Sequence, residues 1–103
     1  MSRGFVLAPE AARDLVGIWR FVRERGSLET ANRVELAILA KLSAVAQNPG
    51  IGHSREDLFS EEPLKFVTVY SYLIVYRPDT NPVQVAAILH GHRNVEAILR
   101  QRA

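Results

Sequence analysis

The sequence predicts an α+β fold: an N-terminal strand, then an antiparallel helical hairpin packed on one face of a mostly antiparallel sheet, completed by three C-terminal strands. Three observations lead there. Apolar residues recur at helical spacing from residue 9 to residue 25, and again from there to residue 47. From residue 64 the pattern changes to short β-branched and aromatic runs. Apart from Gly17, the turn-forming residues fall between these segments or at their ends.

Each element has a local cause. Phe5-Val6-Leu7 is a short apolar run ended by Pro9, and reads as the first strand. Pro9 suits the first turn of a helix, where its missing N–H costs nothing, and Glu10 favours the positive end of the helix dipole. Leu15, Ile18, Trp19 and Val22 then form one helical face, so Trp19 is read as core. Phe21 falls about 200 degrees from Trp19 on the helical wheel and is the candidate for an exposed contact. Gly26 stops the helix, and Ser27 caps a second one at once. Val34, Ile38, Leu42 and Val45 are its stripe, and Asn48-Pro49-Gly50 ends it. So short a link makes the two helices antiparallel. Gly17 interrupts the first helix, and a close approach by a neighbouring element would explain it.

Residues 50–63 read as a surface connection. Leu64 to Val69 and Tyr72 to Tyr76 follow as a hairpin turning at Tyr70-Ser71, which lacks the usual Gly or Asn. Pro78 to Pro82 is a strong turn. Val83 to Leu89 is the last strand, with Val83, Val85, Ala87 and Leu89 expected on one face. Asn94 to Arg100 can form a short terminal helix. One sheet face is left without an evident cover, and Tyr70, Tyr72, Tyr76 and the histidines are placed on or beside it. A charge at Tyr72 is therefore expected to disrupt a partner complex there.

The 103 residues fit a single domain spanning 1–103. A net charge of +2 is too small for a protein that grips a duplex by its phosphates, so a nucleic-acid role would need a local patch. With no cysteine, disulfide and thiol chemistry are excluded and zinc loses its commonest soft ligand. Residues 1–8 lack the apolar core of a signal peptide, and no apolar run approaches the length of a membrane span. A cytoplasmic protein is expected, with no cofactor and no metal.

The residues that could carry chemistry lie in the second half. His90 and His92 flank Gly91 at the end of the last strand, followed by Arg93. With Lys65 and Arg77 they could converge on one sheet face as an acid–base set that cleaves RNA: one group takes the 2′-OH proton, another protonates the leaving oxygen, and cations hold the phosphate. The plainer reading is of polar strand ends satisfied by water or backbone. Leu58 and Phe59 in the long connection are either a loop anchor or a partner surface. Arg93, Arg100 and Arg102 form a modest basic end, read as a solvated tail or a contact.

Four segments, taken in order, resemble a known family. They are Asp14-Leu15-Val16-Gly17-Ile18-Trp19-Arg20-Phe21-Val22, Asn48-Pro49-Gly50-Ile51-Gly52-His53, Tyr72-Leu73-Ile74-Val75-Tyr76-Arg77 and Leu89-His90-Gly91-His92-Arg93. The set is similar to the RelE/ParE toxin superfamily, and to its ParE branch most closely. That resemblance implies the toxin of a type II toxin–antitoxin system of the plasmid-stabilisation kind. It implies inhibition of DNA gyrase by trapping its cleaved-DNA complex, without chemistry of the toxin's own. The implied partner is a ParD-like antitoxin with a ribbon-helix-helix DNA-binding end and a tail that folds on the toxin. DNA would then be met only through the antitoxin complex.

The surface for antitoxin or target is placed at Phe21, Leu58, Phe59, Tyr70, Tyr72, Arg77, His90, His92 and Arg93. The alternatives are a ribosome-dependent mRNA endoribonuclease of the RelE type, with Lys65, Arg77, His90, His92 and Arg93 at its site, or a non-toxic relic that keeps only the antitoxin contact. Two features favour the gyrase branch. The helical hairpin is long, at about twenty residues per arm, and residues 94–103 contain no tyrosine, histidine or lysine.

Overall fold

The computed structural model describes residues 4–102. The elements run β1 (Phe5–Leu7), α1 (Pro9–Arg25), α2 (Leu28–Gln47), a 3-10 turn at Pro49–Ile51, β2 (Lys65–Val69), β3 (Tyr72–Arg77), β4 (Val83–His90) and α3 (Val95–Arg102). The sheet order is β1-β4-β3-β2, with β1 parallel to β4 and the other neighbours antiparallel. The fold is α+β, as the sequence pattern predicts. The sheet is mixed because β1 must cross the helical hairpin before the chain returns as β2.

The helix ends follow the local chemistry. Pro9 opens α1, with Glu10 in the first turn and Arg23 and Arg25 in the last. Ser27 caps α2, its Oγ accepting from the Thr30 N–H at 3.1 Å. Asn94 begins α3 in the same way, Oδ1 accepting from the Ala97 N–H at 3.2 Å. The hairpin buries Ala11 and Leu15 of α1 and Ile38, Leu42 and Val45 of α2 against Ile74, Tyr76, Val85 and Ile88 of the sheet. Trp19 is not part of that core. It lies half-buried farther along the helix pair and donates its indole N–H to Asn32 Oδ1 at 2.9 Å. A helical stripe shows which way a residue faces, but not whether the sheet extends far enough to meet it.

The second sheet face is covered, contrary to expectation. Val95 and Leu99 of α3, with Phe59 and Leu64 of the long connection, pack on Phe66, Leu73, Val75, Ala87 and Leu89. Phe59 is 6% exposed and anchors the connection, with Leu58 packed beside it. Both therefore serve as loop anchors. Tyr72 and Tyr76 point the other way, into the core under the hairpin. Tyr72→Glu would thus place a carboxylate against apolar packing and is no clean probe of a surface.

Strand β4 also breaks its predicted alternation. Tyr76 lies opposite Val85, yet Val75 lies opposite Ala87, so Ala86 is an extra residue in the ladder. Val83 and Val85 face the hairpin, whereas Ala87 and Leu89 face α3. One inserted residue reverses the side-chain parity of everything after it. It puts Ile88 and His90 on the same side as α1.

Candidate functional site

Two structural details fix the framework of the site. The first explains the Asn48–His53 segment. Tyr76 donates its hydroxyl to the Pro49 carbonyl at 2.6 Å and accepts the Gly52 N–H at 3.0 Å. A Cβ on Gly52 would lie 2.5 Å from the Tyr76 hydroxyl and 3.1 Å from the Lys65 Cβ, so only glycine fits. His53 and Phe66 then exchange backbone hydrogen bonds at 2.9 and 2.8 Å, which docks the segment on β2. Burial pushes the Tyr76 hydroxyl above its ordinary pKa, and the Gly52 hydrogen bond partly offsets this.

The second detail is a clasp over the edge of β4. Strand β1 pairs only as far as Val85, so the next stretch of β4 has no neighbouring strand on that side. Asp14 of α1 takes over: its Oδ2 accepts the Ile88 N–H at 3.0 Å. Arg102 of α3 grips both Asp14 oxygens at 2.7 and 2.9 Å and donates to the Ala86 carbonyl at 3.3 Å. Arg102 is no solvated tail residue; its side chain is 19% exposed and that of Asp14 is 9%. The bond to Asp14 raises the guanidinium pKa further, so the charge is permanent.

Above the clasp lies a groove of about 380 Å³ between α1 and the His90 end of the sheet. Ile18, Tyr72 and Ile88 form its apolar walls, Phe21 stands at its mouth, and Arg13 and Arg93 stand on the rim. Of the residues proposed from sequence, the groove gathers Phe21, Tyr72, His90 and Arg93. Burial raises the Tyr72 hydroxyl pKa. The Tyr72 and His90 rings meet edge to face at 5.6 Å, and His90 stacks on His92 at 4.9 Å. The His92 backbone N–H donates to His90 Nδ1 at 3.2 Å, which helps hold the ring in place. Tyr70 stands nearby at the hairpin tip, 65% exposed, its neighbour Ser71 accepting the Gly91 N–H at 2.8 Å.

Lys65 and Arg77 do not join this group. Lys65 lies opposite Tyr76, whereas His90 lies opposite Tyr72, four residues away along β3. At about 3.3 Å per residue the two ends are about 13 Å apart. Lys65 and Arg77 also sit on opposite faces, and Arg77 pairs with Glu62 on the α3 side. The convergence expected of Lys65, Arg77 and Arg93 therefore fails, because strand register separates them in length and pleat separates them in face. Leu58 and Phe59 belong to the second core and lie outside the groove. Arg13, Asp14, Gly17, Ile18 and Ile88 were not singled out as site residues by the sequence reading. Asp14 carried one usable signal: it is a carboxylate on the same helical side as Ile18, next to the apolar stripe.

No curated protein matches this chain in sequence. A family model described as "ParE toxin of type II toxin-antitoxin system, parDE" matches residues 5–95. The chain belongs to the ParE toxin family. Its fold is similar to that of a solved chain described as "Chromosomal ParDE TA system from P. aeruginosa", with a TM-score of 0.70 and 20% identity over 85% of this chain and 95% of that one. The family match covers all four sequence segments and ends at Val95, just inside α3. The matched residues include the hairpin, the sheet and the lining of the groove, while the Arg102 half of the clasp lies beyond them. No helix among the described residues is long and apolar enough to cross a membrane.

Proposed function

We propose that this ParE-type toxin acts in the cytoplasm on DNA gyrase, trapping the enzyme's cleaved-DNA complex by binding alone, and that a ParD-like antitoxin holds it inactive. The observation that supports this reading is the make-up of the groove, whose lining is mainly apolar, and into which Lys65 and Arg77 do not reach. RNA cleavage needs a base, an acid and a phosphate-holding cation around one phosphodiester. Lys65 and Arg77 lie at the far end of the sheet from His90, His92 and Arg93, on opposite faces. The groove instead offers apolar walls and two rim arginines, which is the make-up of a protein-binding surface. The antitoxin, with its ribbon-helix-helix end, supplies whatever DNA contact the complex makes.

The test is induction of the chain without antitoxin, with plasmid topology and transcript integrity measured in the same cells. Relaxed and broken DNA with intact transcripts is the expected result. Transcripts cut within codons, with supercoiling unchanged, would overturn the reading in favour of a ribosome-dependent endoribonuclease.

A further inference from the structure

Gly17 lies in the middle of α1, where glycine is the least favourable residue for a helix after proline. Two reasons internal to a chain normally keep a glycine in such a place, and both fail. No glycine among the described residues has a positive φ, so conformation does not demand it. A Cβ on Gly17 would meet nothing within 4 Å, so no neighbour demands it either. Gly52 is the contrast, since a Cβ there runs into Tyr76 and Lys65. The helix gives up stability at Gly17 with no return inside the molecule, and the gap it leaves opens into the groove.

The charges around the gap point the same way. The groove's carboxylate, Asp14, is already engaged through both oxygens by Arg102 and through Oδ2 by the Ile88 N–H. Arg13 and Arg93 on the rim are in no ion pair among the described residues. The groove therefore presents apolar walls inside an uncompensated positive rim. A second copy of this chain would bring more positive charge to it. A nucleic acid would satisfy the arginines but leave the walls of Ile18 and Ile88 without an apolar partner.

From this we infer that Gly17 is a socket for one apolar side chain of the antitoxin, carried on a segment whose Asp or Glu residues pair with Arg13 and Arg93. This rests on the toxin–antitoxin reading and goes beyond it: residue 17 becomes a determinant of which antitoxin is accepted. A larger side chain there occupies the socket, and the toxin escapes its antitoxin while keeping its fold.

The experiment is calorimetry of the full chain with its ParD-like antitoxin, using Gly17→Ala, Gly17→Leu and Arg13→Glu, with a thermal melt and a gyrase supercoiling assay of each. Gly17→Ala and Gly17→Leu should melt no lower than wild type, because the space is open and both residues favour helix. Antitoxin affinity should fall about threefold for Gly17→Ala, at least about thirtyfold for Gly17→Leu and about tenfold for Arg13→Glu. Unchanged affinity in the folded Gly17→Leu variant would overturn the socket. A lower melting temperature for Gly17→Ala would also overturn it, by showing that the fold itself needs the glycine. Loss of gyrase inhibition with antitoxin affinity retained would assign the groove to the target instead. Failure of the wild-type chain to bind the antitoxin would overturn the underlying functional reading, a result distinct from all of these.

Discussion

Replacing Asp14 with alanine tests the clasp that joins α1, β4 and α3. Wild type makes two carboxylate–guanidinium bonds at 2.7 and 2.9 Å and one bond to the Ile88 N–H at 3.0 Å. An exposed ion pair contributes about 0–1 kcal/mol, whereas breaking a buried one costs about 3–5 kcal/mol. With side chains 9% and 19% exposed, this pair lies toward the buried end. Asp14→Ala also leaves the Ile88 N–H without its acceptor, a loss of about 1–3 kcal/mol that overlaps with the first. The expected net loss is about 3 kcal/mol. For a chain of this length that lowers the melting temperature by roughly 12–24 °C. Asp14→Asn keeps an acceptor for Ile88 and should lose about half as much. The assay is urea unfolding, in which the midpoint falls and the slope stays constant. A loss below about 1 kcal/mol, or strict additivity of Asp14→Ala with Arg102→Met, would refute the coupling argued here.

Two further outcomes follow from the structure. Tyr76→Phe removes both the bond to Pro49 and the bond from Gly52 and should destabilise by about 1–3 kcal/mol near neutral pH. Because burial raises the Tyr76 pKa in the native state, its contribution is present below the unfolded value of 10.0 and is lost as pH rises through the native value. Between about pH 9 and about pH 11 wild type should therefore lose melting temperature faster than Tyr76→Phe, and parallel curves would contradict the assignment. Tyr70 holds φ at 54°, a left-handed conformation that costs a non-glycine residue about 1–2 kcal/mol. Tyr70→Gly should raise the melting temperature by several degrees, and an unchanged or lower value would show that the ring stabilises the turn.

The helices, and the order of helices and strands along the chain, were legible because they depend on local pattern. Leu15, Ile38, Leu42 and Val45 sit at the spacing that buries them, and Ser27 caps α2 where its side chain suggests. The misreadings arose where one residue changes a long-range relation. The extra Ala86 in β4 turns Ala87 and Leu89 away from Val83 and Val85, and nothing in a run of β-branched and small residues marks it. The cover on the second sheet face comes from Phe59 and from an α3 of only eight residues, each too weak a signal to place alone. Asp14 and Arg102 are 88 positions apart, so neither announces the other. The site was half legible for the same reason. His90 and Arg93 are three positions apart in the chain and stay together, whereas Lys65 and Arg77 depended on strand register, which the residue types do not specify.

We propose that this ParE-type toxin poisons DNA gyrase by binding alone. The most direct measurement combines the purified chain with gyrase, relaxed plasmid and ATP, and scores supercoiled and linear DNA with and without antitoxin. The expected result is loss of supercoiling and accumulation of linear DNA, both reversed by antitoxin. Full supercoiling and no linear DNA in the presence of the folded chain would contradict it.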